Sequence, residues 1–260
     1  MTFLQAEPRL PYGVNFQANW GLLYGPVRAP LDHATATDLE SHEHVVVYEA
    51  DWQQGTAKGL FQYAYPYADE PPHPGTLIEP HTVVRQSVLR GVSVPLRPHM
   101  GTAGVALARS GRIHTVPPGE FGGNVDNRSF VPGTRMFYPV QVPSALFWAG
   151  DTHFAQGDGE ISGTAIEGHL NVMLQFVLHK NLRIRTPLLE TDTEMMVHGF
   201  HENLDEAIGA GGRRAGALPD RRAGGLRQRG SRLALLARRG SDRAGVRLRP
   251  PGVRRTGGAA

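Results

Sequence analysis

A chain of 260 residues, 40% of them apolar, is long enough for one large domain or two small ones with a substantial core. It has no cysteine, which excludes disulfides, thiolate metal sites and cysteine nucleophiles. The net charge of +3 conceals two unlike parts: residues 1–208 carry 13 Lys and Arg against 22 Asp and Glu, a net of −9, whereas residues 209–260 carry 14 Arg against 2 Asp, a net of +12.

The opening stretch, MTFLQAEPRLPYG, lacks a basic segment followed by an apolar one. No run approaches the roughly 18–20 apolar residues of a membrane helix, so a soluble cytoplasmic protein with no membrane partner is expected. HVVVYEADW (residues 44–52) is β-branched and aromatic, a strand. VVRQSVLRGVSVPLRP (83–98) reads as one or two further strands ended by prolines. PLRPHMGTAGVA follows, where His99 is a lone histidine of the kind more often packed or at the surface than a ligand.

TVPPGEFGGNVDNR sets Asn124 and Asp126 two apart just after a Gly-Gly pair, either turn chemistry or part of a site. RMFYPVQVPSALFWAGD (135–151) is strand-like but interrupted by Pro139 and Pro143. GDTHFAQGDGEISGTAIE (150–167) concentrates acids that repel one another unless a positive group lies between them. In extended backbone Asp151 and His153 share a face, as do Gln156, Asp158 and Glu160. Such a carboxylate, imidazole and carboxamide set suits zinc or a harder ion such as calcium. The plain alternative is a surface of Gly-Asp turns.

HLNVMLQFVLH (169–179) puts Leu170, Val172, Leu174, Phe176 and Leu178 on one face with period two, a strand. ENLDEAI (202–208) reads as a helix start. Beyond it the chain has no Lys, His, Asn, Ile, Met or aromatic residue. A nucleic-acid arm commonly mixes Lys and aromatics into its charge. This residue menu is instead what GC-rich DNA encodes in a shifted frame, so residues 209–260 are expected to be an aberrant, disordered tail.

Other chemistries lack their parts. The only lysines, Lys58 and Lys180, are not set in glycine-serine-rich backbone as a Ser-Ser-Lys hydrolase requires, and no nucleophile elbow or phosphate-binding glycine loop occurs. Metal-assisted chemistry, or none, remains.

PPGEFGGNVDNR, YPVQVPSALFWAGDTHFAQGDGE and SGTAIE together resemble the acetamidase/formamidase family, with weaker likeness over roughly residues 15–208. The resemblance implies a mainly β (α+β) fold with β-sandwich-like sheets and glycine-rich site loops. It divides the chain into a partial N-terminal β region (1–95), an amidase core with site loops (96–208) and the tail (209–260). Members begin with a further β-rich region and end in helices that have no counterpart here, so the chain reads as the middle of an amidase.

The implied function is hydrolysis of the C–N bond of a short linear amide, formamide or acetamide, to carboxylate and ammonia by a metal-activated water. A small amide substrate, a divalent metal (zinc or calcium) and a homo-oligomeric intact protein go with it. Carried over by position, Asp126, Asp151 and His153 are the expected metal ligands. Glu160 is the expected base, joined by Asn124, Asp158 and Glu167 in the catalytic set and by Gln156 as a second carboxamide. The alternative is a non-catalytic β module binding metal or carbohydrate through the Gly-Asp loops, or an inactive amidase fragment. Nucleic-acid binding through the tail ranks last, because the acidic body would oppose a phosphate backbone.

Overall fold

The computed structural model describes residues 1–17, 44–64, 83–160, 163–201, 203–216 and 232–238. The elements are β1 (Thr2–Gln17), β2 (His44–Asp51), β3 (Thr56–Ala64), β4 (Ser93–Pro95), β5 (His99–Gly104), β6 (Gly122–Asn124), β7 (Arg135–Phe137), β8 (Trp148–Ala155), β9 (Ile166–Gln175), β10 (Leu188–Glu190), β11 (Glu194–Phe200), α1 (Leu204–Gly216) and β12 (Arg232–Arg238). The protein is mainly β, as expected. No described helix is long and apolar enough to cross a membrane.

All twelve strands among the described residues belong to one hydrogen-bonded network, ordered β12-β11-β10-β7-β1-β9-β8-β5-β6, with β2, β3 and β4 branching from β1. The branch exists because β1 changes partners along its length. Thr2 pairs with Arg135 of β7, Tyr12–Gln17 pair antiparallel with β2, and β9 runs along it from Gln175 to Glu167. Its register against β9 slips between Pro8 and Gly13, where two prolines remove ladder donors. Those prolines hide β1 from a periodicity reading.

The apolar faces meet in two main clusters, one around Phe3, Met100, Phe130, Met136, Leu189 and Met196 and one around Val46, Tyr48, Ala57, Phe154 and Ile166. Phe154 of β8 is fully buried and packs edge-on against Trp52, centroids 5.0 Å apart. Its ring occupies the space where a side chain at position 168 would begin, so glycine there is a packing requirement.

The expected strand at 44–52 forms, and the run 169–179 alternates as read, with Leu170, Val172 and Leu174 turned inward. That strand ends at Gln175, however, leaving Phe176 and Leu178 exposed. The 83–98 segment yields only an isolated bridge at Gln86 and the three residues of β4. Prolines split 135–151 into β7 and β8, as their positions suggest.

Helix α1 starts where Asn203 Oδ1 accepts the amides of Asp205 (2.8 Å) and Glu206 (3.2 Å), a side-chain cap with acids in the first turn. It runs on to Gly216, and Arg232–Arg238 pair in parallel with β11, so part of the 209–260 stretch has regular structure. The remainder of that stretch, and ANWGLLYG in 18–43, lie outside the described residues.

Candidate active site

Strand order builds the site. On the adjacent strands β5, β8 and β9, His99 is the cross-strand partner of His153, and His153 that of Glu167. The three side chains therefore stand in one row, and Asp151, two residues before His153, joins the same face. From the far side of β5, Thr102 pairs with Asn124 of β6. The chain then turns so that the Asp126 amide donates to the Gly101 carbonyl (3.0 Å). Gly101 makes room for what lies beyond: a Cβ there would stand 2.6 Å from Asp126 Oδ1 and 2.6 Å from His153 Cε1.

His153 is 1% exposed and is the hub. Its Nε2 lies 3.3 Å from Asp151 Oδ1 and 3.1 Å from Glu167 Oε2. Burial alone would lower its pKa. Hydrogen bonds to Asp151 and Glu167, reinforced by their charge, more than offset this and raise it to about 11. The same contacts hold the Asp151 carboxyl well below its usual value despite burial, which opposes them, and the Thr102 hydroxyl (2.8 Å) helps. That hydroxyl also lies 2.6 Å from Asn124 Oδ1, so Thr102 stands between Asn124 and Asp151 with one proton to share.

The opposite edge of His153 faces His99 and Gln156. Burial, then the charge of His153, lowers the His99 pKa to about 4, so His99 is neutral at physiological pH. Its Nδ1 lies 2.7 Å from the Arg97 carbonyl and its Nε2 2.9 Å from Gln156 Oε1, so both ring nitrogens face oxygen acceptors. Gln156 Nε2 donates to the Asp126 carbonyl (2.6 Å), which turns Oε1 toward the two imidazoles. His153 Nδ1 donates to Gln156 Oε1 (3.0 Å), with His99 Nε2 3.1 Å away. This fixes the ring and aims Nε2 at the carboxylates.

Two groups of ligand-type atoms share His153: Asp126, His153 and Glu160, all buried, and Asp151, His153 and Glu167. In each the atoms lie within 4.8 Å of one another. Asp126, Asp151 and Glu160 all have positive φ (46°, 55° and 47°), a backbone state uncommon outside glycine that persists where surroundings over-determine it. A mixed imidazole and carboxylate set, compressed around the room that Gly101 leaves, fits a divalent cation.

Of the sequence-derived residues, Asp126, Asp151, His153, Glu160 and Glu167 thus converge, Gln156 touches His153 and Asp126, and Asn124 reaches Asp151 only by way of Thr102. Asp158 does not: it sits on the exposed turn, 3.5 Å from Arg128 Nε. Residues 157–160 turn rather than extend, so the two-residue spacing that aligned Gln156, Asp158 and Glu160 does not apply. His99 and Thr102 were not singled out as site residues. Their only sequence signal was a histidine and a hydroxyl on one glycine-containing strand.

Gln156 and Glu160 open onto a cavity of about 600 Å³ that has Leu96 and Ile166 on its wall and Arg128 and Asp158 among its lining. A larger hollow of about 1070 Å³, lined by Phe137, Tyr138, Phe147 and Phe176, contains none of the clustered acids.

A family model described as the Acetamidase/Formamidase family matches residues 81–209, which include every clustered acid and both histidines. An acetamidase of Mycolicibacterium smegmatis is 54% identical over 57 residues, covering 22% of this chain and 14% of that protein. A formamidase of Methylophilus methylotrophus is 37% identical over 95 residues, covering 35% of this chain and 23% of that one. The crystal structure of an acetamidase from Yersinia enterocolitica superposes with a TM-score of 0.60 at 24% identity, covering 82% of this chain and 55% of that one, which shows a shared fold. The chain thus spans about half the length of that structure, and the aligned stretches span less of the curated relatives. Motifs, fold and clustered residues agree in placing residues 81–209 in the acetamidase/formamidase family.

Proposed function

We propose that the chain carries the catalytic body of an amidase that converts a short linear amide, formamide or acetamide, to carboxylate and ammonia. The observation that supports this most is the buried His153, with Asp151 and Glu167 at its Nε2 and Asp126 and Glu160 clustered beside it, inside the segment the family model matches. Asp126, Asp151 and His153 would hold a divalent ion, zinc or calcium, with Glu167 beside them. Such an ion supplies Lewis acidity toward a carbonyl oxygen and a bound water.

The protein's own groups do the rest. Glu160, buried in the wall of the cavity, accepts the proton of the attacking water as oxygen bonds to the amide carbon. It returns that proton to the amide nitrogen as the C–N bond breaks, releasing ammonia. Asn124, held through Thr102, offers its carboxamide to the developing oxyanion. Gln156 and His99 hold the His153 ring, and Asp158, through Arg128, shapes the turn that carries Glu160. Ammonia release from formamide and acetamide by the chain, abolished in Glu160→Gln, is the test. A chain that binds metal but releases no ammonia would be a binding module instead.

A further inference from the structure

A second buried histidine lies outside the acid cluster yet reaches it through one residue. His198 of β11 is fully buried, with Nδ1 2.7 Å from the Pro187 carbonyl and Nε2 3.1 Å from Asn127 Nδ2. The carbonyl can only accept, so the ring proton is on Nδ1, and Nε2 accepts from Asn127.

That bond leaves the Asn127 side chain one orientation. Its Oδ1 accepts the Ser129 amide (3.0 Å), and Nδ2 also approaches Met196 Sδ (3.6 Å). Its main-chain carbonyl accepts the Phe130 amide (2.8 Å). The turn after Asp126 is therefore pinned from inside, and Asp126 itself, with φ 46°, is held by the hydrogen bond its N–H donates to the Gly101 carbonyl. A carboxylate on left-handed backbone needs such support to stay in place.

We propose that His198 is a positioning residue for the site: through Asn127 it sets the backbone at Asp126, and so the place of that carboxylate beside His153 and Glu160. The purpose of Asp126 rests on the amidase reading above, whereas the mechanical link does not.

The test compares the full chain with His198→Leu and His198→Gln. Glutamine keeps a donor for Pro187 and an acceptor for Asn127, and leucine keeps neither. Three quantities are read: zinc affinity by competition with a chelating dye, kcat and KM for acetamide, and hydrogen exchange at the Asp126 amide. In His198→Leu, zinc affinity should fall about 10–100-fold, the range for partners that orient ligating side chains. Turnover should fall with KM little changed, and exchange at Asp126 should quicken at least about tenfold while that at Val46 in β2 stays the same. His198→Gln should recover most of each.

Unchanged zinc affinity and Asp126 exchange in His198→Leu, or a glutamine variant no better than leucine, would overturn the proposal. A wild-type chain that binds no zinc and releases no ammonia would instead sink the amidase reading, and Asp126 exchange would still decide this one. Should His198→Leu not fold, Asn127→Leu carries the test, because it removes the donor to Nε2 at nearly the same shape. The same losses are expected there, and their absence overturns the inference.

Discussion

Gly101 faces His153 so closely that a methyl group at position 101 would stand 2.6 Å from the ring's Cε1 and 2.8 Å from Nε2. The neighbouring atom is a fully buried ring fixed on both edges, so it cannot yield. Gly101→Ala should destabilise the protein by about 1–3 kcal/mol, the usual cost of overpacking a tight interior. Metal uptake and ammonia release should fall with it, because Asp126 Oδ1 is displaced by the same methyl. Urea denaturation alongside metal analysis checks both, and an alanine variant of normal stability and metal content would contradict the crowding.

Asp151→Asn and Glu160→Gln should separate. The first removes a charge from the Nε2 side of His153, so bound metal and turnover should drop together, by at least about tenfold. The second leaves Asp126, Asp151 and His153 in place, so metal should remain while ammonia release falls about 10²-fold or more, since a carboxamide cannot accept the water's proton. Equal metal loss in both variants would make Glu160 a ligand.

The metal-free protein should be most stable near pH 6.5. The His153 pKa is raised from 6.5 to about 11, so its contribution is complete below 6.5 and is lost as pH rises toward 11. The His99 pKa is lowered to about 4, so its contribution is complete above 6.5 and is lost as pH falls toward 4. Melting temperatures in chelator across pH 4–10 should therefore peak between the two windows, and His153→Asn should flatten the alkaline limb. Zinc must displace the His153 proton, so its affinity should rise by about tenfold per pH unit between 7 and 9. A pH-independent affinity would place the metal away from His153.

Phe154 and Gly168 form a matched pair, ring against absent side chain. Gly168→Ala should cost about 1–3 kcal/mol in the wild-type background and clearly less when Phe154 is leucine, which leaves space for the methyl. Additive effects of the two changes in urea denaturation would show that the ring and position 168 do not compete.

What could be read from the sequence depended on whether the backbone was extended. Asp151 and His153 lie in a strand, so their two-residue spacing put them on one face, and Leu170, Val172 and Leu174 followed the same rule. The rule broke at residues 157–160, where a turn sends Asp158 out to Arg128 and Glu160 inward. His99 could not be assigned from sequence because its importance comes from standing opposite His153, a pairing between residues 54 apart. His198 and Asn127 are 71 apart and equally invisible to local pattern. β1 was missed because Pro8 and Pro11 interrupt any alternation, although its partners on both edges hold it as a strand.

The irregular pairing of β1 with β9 also sets an order of assembly. Val14 pairs with Glu167 and Thr2 with Gln175. At synthesis rates of 5–20 residues per second, β1 thus leaves the ribosome on the order of ten seconds before this partner exists. Contacts so distant along the chain also close slowly afterwards. Throughout that wait, a long strand is open to pairing with any neighbouring nascent chain. Pro8 and Pro11 withhold two amide donors within its span, so the break that spoils the native ladder also denies a stranger a continuous one.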